Sequence, residues 1–128
     1  MSRFDVNPKH PNAPGPGKRP LHNMCPCIVV KDGRPVIALG AVGGRRIPNT
    51  LCDVLIGRVR YGLPLAEAVQ APRMHTHGDL NLNLTQKWSG NVRDYLKKVG
   101  YAVKPGAGAV LNAIERNART GELTHAAG

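Results

Sequence analysis

Two apolar runs, Cys27–Val30 (CIVV) and Val36–Leu39 (VIAL), are separated by a short polar stretch centred on Asp32-Gly33, and this pairing constrains the fold most. An Asp-Gly pair between two β-prone runs is a two-residue hairpin signal, because both central residues of the favoured turn need positive φ. Both runs are continuously apolar rather than alternating, which predicts strands covered on both faces. The second run ends in Gly43-Gly44 followed by Arg45 and Arg46. A plain turn needs neither two glycines nor two arginines.

The rest of the chain supplies material to cover such a hairpin. Thr50 and Asp53 have the spacing of a capping box, and Cys52, Leu55, Ile56 and Val59 fall on one helical stripe that ends at Gly62. A short helix is expected to open at Pro64 and to stop before Pro72. Leu80–Leu84 alternates as LNLNL, a half-buried strand. Ser89 is placed to cap a helix with Val92, Tyr95, Leu96 and Val99 inward and Gly100 at its end. Three later strands are expected at 101–104, 109–115 and 122–126, the last two joined through Thr120-Gly121. Sheets covered by helices define a layered α+β architecture. Residues 1–20, with PKHPNAPGPGKRP, read as an extended, Pro-rich segment, either a linker or a loop lining a site; residues 21–128 read as the folded portion.

Composition narrows the function. In 128 residues, 18 Lys and Arg face 8 Asp and Glu, a net charge of +10, and 41% hydrophobic content supports a packed core. Basic excess is the first mark of a nucleic-acid binder. Here the basic residues are scattered, and the aromatics (Phe4, Tyr61, Trp88, Tyr95 and Tyr101) are a poor supply for base stacking, so charge alone would have to carry a stand-alone basic binding module. No apolar run approaches the length of a membrane span, and no basic start followed by an apolar stretch marks a secretory signal near Met1. Cys25 and Cys27 are too close in an extended strand to bridge comfortably. His22, Cys25, Cys27, His75 and His77 lack the paired spacing of a structural zinc site, so the thiols read as small buried hydrophobes.

The ordered set PNAPGPGKRPLHNMCP, the hairpin with KDGRPV, GAVGGRRI, YGLPLAEAVQAPRMH and the closing GELTHAAG resembles the C-terminal part of the small subunit of the γ-glutamyltranspeptidases, which are N-terminal-nucleophile hydrolases. The resemblance runs almost end to end and implies part of a four-layer αββα sandwich. It also implies amide hydrolysis or acyl transfer on a small-molecule acyl amide of the glutathione type, with no metal and no organic cofactor. In the family a processed N-terminal threonine attacks the γ-glutamyl amide, its own α-amine acting as base. A Gly-Gly pair offers backbone N–H groups to the resulting oxyanion. By that motif Gly43 and Gly44 are the oxyanion-hole candidates.

The departures carry as much information. A KRP string leads in the family to two serines and a methionine on the substrate α-carboxylate, where this chain has His22, Asn23 and Met24. An acidic pair before phenylalanine, one member holding the substrate ammonium, is replaced by Ser2 and Arg3 before Phe4. A cation there repels an ammonium, so an acyl group without the amine suits Arg3 better. The nucleophile region of the family aligns with nothing here. The resemblance therefore implies a fragment, inactive alone, whose partner is the missing N-terminal and large-subunit portion of the same precursor. An inactive scaffold that needs such a partner is a further alternative. The compartment is open, since the family is often periplasmic or extracellular.

Overall fold

The computed structural model describes residues 4–128. It is an α+β chain with two sheets. The first sheet runs β1 (Cys27–Lys31), β2 (Arg34–Val42), β6 (Val110–Arg116), β7 (Leu123–Ala127), antiparallel throughout. The second joins β3 (Met74–His75) antiparallel to β4 (Asn81–Leu84), and β4 parallel to β5 (Ala102–Pro105). The expected hairpin forms, with Asp32 at φ 51° and Gly33 at φ 73°, both in the left-handed region that the turn demands.

Helix α1 (Ile47–Leu55), continued by a π turn over Ile56–Arg60, and helix α2 (Leu65–Gln70) lie on one face of the four-stranded sheet. Their Ile47, Leu51, Val54, Leu65, Ala68 and Val69 close over Ile37, Leu39, Leu111, Ala113 and Ala126 to form the core. Among the described residues, the strands are covered on that face alone. Ile28 (68% exposed), Val30, Val42, Val110 and Ile114 stand out on the opposite face among the described residues, so the expectation of double coverage fails here. Period-two geometry explains it: successive side chains point to opposite faces, and only one face has a layer packed on it. Arg58 on the π turn forms a two-pronged ion pair with Glu115 on β6, Nε donating to both carboxylate oxygens at 2.9 and 3.0 Å.

The helix stripe is also corrected. Thr50 is not a cap: α1 starts three residues earlier at Ile47, with Pro48 in its first turn, and Thr50 is a buried interior residue. The buried face is Ile47, Thr50, Leu51 and Val54, while Cys52, Ile56 and Val59 are exposed. The helix is apolar on two sides, and periodicity cannot rank one above the other. The outer stripe lines a shallow apolar groove with Cys25, Cys27 and Val29.

Pro64 precedes α2 as expected, and Gly62 at φ 70° ends the π turn. The LNLNL strand buries Leu82 and Leu84. Helix α3 (Gly90–Lys98) follows Ser89, yet Tyr95 and Val99 are exposed and no residue of the helix is fully buried, contrary to the inward stripe.

Candidate functional site

The site is built where β2 hands over to α1. Gly43 leaves the strand, Gly44 takes φ 64°, and a single 3-10 turn, Gly44–Arg46, feeds α1. Gly43 is required by close approach: a Cβ there would stand 2.5 Å from the Ala109 Cβ and 2.7 Å from its Cα. Gly44 is required by its backbone angle.

Ala109 is itself held from two sides. Its N–H donates to the buried Thr50 Oγ1 at 3.2 Å, and its carbonyl accepts from Arg73 Nη1 at 2.7 Å. Arg73 is 9% exposed; its Nη2 donates to the Val69 carbonyl at 2.8 Å, and its N–H to Thr85 Oγ1 at 3.0 Å. Burial pulls the Arg73 pKa down, and the nearby Asp53 carboxylate opposes that pull. Asp53 accepts the Met74 N–H at 3.2 Å, and its own pKa is raised by burial against the effect of that hydrogen bond and of Arg73. This interior polar net ties the strand-to-helix junction to β3 and β6.

Beside Gly43 opens a cleft of about 370 Å³, lined by Arg45, Arg46, His75, His77 and Asn83 with Pro105, Gly106 and Ala107. Arg46 Nε and N–H both turn back on the Gly43 carbonyl at 3.4 Å. The His75 ring is buried, its Nδ1 3.1 Å from Asn49 Oδ1 on α1, and its buried Nε2 has no hydrogen-bond partner among the described residues. His77 lies edge-on to it, ring centres 4.6 Å apart. Burial first, then His77 and Arg46, push the His75 pKa below its ordinary value.

Arg45 also borders a second, broader cleft walled by Phe4, Asp5, His10, Pro11, Asn12, Arg19 and Leu21. The Pro-rich segment therefore reaches the neighbourhood of the glycine pair. Its turns are pinned locally: Asp5 N–H donates to the Asn12 carbonyl, and Leu21 N–H to Asn12 Oδ1.

The structure brings Gly43 and Gly44 together with Arg45, Arg46 and His75, which the sequence reading did not assign to a site. Of the expected carboxylate-binding residues, His22 and Met24 are exposed and Asn23 is half-buried, and His22 Nδ1 accepts the Met24 N–H at 3.1 Å. None of the three lines the cleft at Gly43. Arg3 lies outside the described residues. The signal available for the missed group was the arginine doublet beside the glycine pair and the His-Thr-His run, each visible but not connected before β3 is placed beside α1.

Cys25 and Cys27 are half-buried with sulfurs 3.8 Å apart, whereas Cys52 is exposed, which corrects the reading of all three thiols as buried. Among the described residues no group of three or more His, Cys, Asp or Glu is arranged to hold a metal, and no helix is long and apolar enough to cross a membrane.

A strand-to-helix Gly-Gly junction inside a two-sheet α+β chain defines a class that comparison with known proteins identifies. The family model for γ-glutamyltranspeptidase matches residues 1–128. The chain is 50% identical over 64 residues to a glutathione hydrolase proenzyme of Escherichia coli, a match covering 50% of this chain and 11% of that protein. It is 35% identical over 129 residues to an acylase ACY 1 proenzyme of Pseudomonas sp., covering 99% of this chain and 23% of that protein. It superposes on the γ-glutamyltranspeptidase of Pseudomonas nitroreducens complexed with L-DON with a TM-score of 0.82 and 34% identity, covering 93% of this chain and 64% of that one.

The chain belongs to the γ-glutamyltranspeptidase family, and its fold is part of the layered N-terminal-nucleophile hydrolase sandwich. It spans about a tenth to a quarter of the length of the curated relatives named here.

Proposed function

We propose that this chain supplies the oxyanion-binding segment of an enzyme that hydrolyses or transfers acyl groups from small-molecule amides, γ-glutamyl or closely related. The observation that carries the reading is the placement of Gly43-Gly44. Both positions exclude a side chain for separate physical reasons, and Gly43 borders a cleft lined by Arg45 and Arg46. Backbone N–H groups fixed before reaction stabilise a developing oxyanion without reorganisation.

The nucleophile, in this reading a threonine with its own α-amine as base, comes from the remainder of the same precursor, so the 128-residue chain alone turns nothing over. His22, Asn23 and Met24 are assigned to a substrate carboxylate, and Arg3 to the end of the acyl group opposite the scissile bond. Residues 1–20 form the wall on that side, a role supported by the cleft that runs from Phe4 to Arg45. The relative named an acylase supports acyl-group chemistry as the broad class. No metal or organic cofactor takes part in the proposed reaction.

The test is a chimera in which this chain replaces the matching segment of the Escherichia coli glutathione hydrolase proenzyme. Maturation followed by turnover of γ-glutamyl or glutaryl anilide, lost on Gly44→Ala in a chimera that still matures, is the expected result. A matured chimera with no activity towards either donor would overturn the reading.

A further inference from the structure

Cys25 and Cys27 flank Pro26 and fall on one face of the chain, since residues two apart in extended backbone point the same way. Their sulfurs are 3.8 Å apart, and the Cys27 thiol donates to the Cys25 carbonyl at 3.4 Å. Both are half-buried and pack against the helix-covered core. A disulfide would have to draw the sulfurs in to about 2.05 Å, across a proline whose φ is fixed. A shared ion asks for no such closure. With metal–thiolate bonds of about 2.3 Å, sulfurs 3.8 Å apart subtend roughly 110° at one ion.

The surroundings decide which ion. The pair opens on the apolar groove between β1 and α1, whose walls are carbon from Val29, Pro48, Leu55, Ile56 and Val59. That lining holds no His, Asp or Glu, and Arg60 is its charged side chain. Structural zinc takes four ligands, and calcium and magnesium take oxygen, so the groove suits none of the three. Cys52 lines the same groove from α1, yet among the described residues no group of three or more His, Cys, Asp or Glu is arranged to hold a metal. What remains is a pair of sulfur donors in a carbon-walled groove. Such donors select a soft ion that is content with few ligands, Cu(I).

We propose that Cys25 and Cys27 form a binding site for one Cu(I) ion, held between the two sulfurs at the apolar groove, with Arg60 of the same lining as countercharge. Two thiols and one Cu(I) give a two-thiolate copper complex and release two protons to solvent. The copper enters and stays as Cu(I), so no electron is transferred. The complex carries one negative charge, which the Arg60 guanidinium offsets. The carbon walls keep water and harder donors from the ion. The groove and the cleft at Gly43 share no lining residue, so the site stands or falls apart from the acyl-transfer reading.

The experiment loads the reduced 128-residue chain with Cu(I) under anaerobic conditions, in competition with a chromophoric Cu(I) chelator, and runs Zn(II) in parallel. Expected are one Cu(I) per chain, bound at least about a hundredfold tighter than Zn(II), and a thiolate-to-copper charge-transfer band in the ultraviolet. X-ray absorption at the copper edge should show sulfur donors and no nitrogen. Cys25→Ser and Cys27→Ser should each weaken binding by about a hundredfold or more, whereas Cys52→Ser should change it by less than about threefold. Circular dichroism of each variant separates lost binding from lost folding, and the copper-edge spectrum tests the donor set in the unsubstituted chain. No retained copper, zinc bound as tightly, a nitrogen donor at the copper edge, or equal loss in Cys52→Ser would each overturn the proposal. Copper held between two chains, read by sedimentation as a dimer, would do the same.

Discussion

Ala109 backs directly onto Gly43, so that a β-carbon on the glycine would lie 2.7 Å from the Ala109 Cα. A clash with backbone cannot be relieved by a rotamer change. Gly43→Ala should therefore destabilise the chain by about 1–3 kcal/mol through overpacking, read as a lower denaturant midpoint at unchanged slope. Ala109→Gly in the same chain should recover part of the loss by removing the Ala109 Cβ. An unchanged midpoint in Gly43→Ala would show that the junction is loose.

Thr50→Val tests what holds Ala109 from the other side. The change keeps shape and leaves the Ala109 N–H buried without the Oγ1 acceptor. A loss of about 1–3 kcal/mol is expected for an unsatisfied buried donor. Stability within a few tenths of wild type would mean that another acceptor replaces the hydroxyl.

The raised pKa of Asp53 gives a pH signature. A carboxyl whose folded pKa exceeds its unfolded value binds more protons when folded, so its contribution favours folding at low pH and is lost as pH rises through the folded pKa. Asp53→Asn retains an oxygen acceptor for the Met74 N–H and removes the titration. The variant should gain stability relative to wild type at pH 7, and the gain should shrink as pH falls through the carboxylate range. Urea unfolding at a series of pH values measures it; a gain independent of pH would refute the assignment to Asp53.

The thiols should label in two classes. Cys52 is exposed on α1 and should react quickly with a chromogenic disulfide. Cys25 and Cys27 are half-buried, and burial followed by the contact with Cys25 raises the Cys27 pKa, so these two should react slowly. Cys52→Ser should remove the fast phase alone. Three equal rates, or zinc near one per chain by elemental analysis, would contradict the picture.

In a complete enzyme the departures near the N-terminus should set donor choice. In the proposed placement of Arg3 against the acyl group, a cation where the family has an acid would repel a substrate ammonium, so a glutaryl amide should be preferred over the γ-glutamyl amide. Arg3→Asp with His22→Ser and Asn23→Ser should shift the ratio of kcat/KM back towards γ-glutamyl by tenfold or more. A parent enzyme that already favours γ-glutamyl would end this reading of Arg3.

The legible part of the fold was the part encoded locally. The Asp32-Gly33 turn, the prolines around α2 and the leucine alternation of β4 each have a backbone or periodicity reason that acts within a few residues. The errors came where tertiary contacts decide. Thr50 looks like a cap by spacing, but its hydroxyl is spent on Ala109, 59 residues away. Cys52, Leu55, Ile56 and Val59 form as good a stripe as the one that is buried, and only the position of the sheet separates the two. Tyr95 and Val99 keep helical spacing on α3 without a layer to receive them. The glycine pair was visible in the sequence as a motif, whereas the contact between His75 and Asn49 became visible only when β3 was seen beside α1.

The uncovered sheet face carrying Ile28, Val30, Val42, Val110 and Ile114 has a colloidal consequence. A chain with a net charge of +10 repels its own copies, and that repulsion opposes the meeting of two such faces in dilute buffer. Added salt shortens the reach of the repulsion, to roughly 10 Å at 0.1 M, and leaves the apolar attraction in place. Light scattering from the isolated chain should therefore rise with ionic strength.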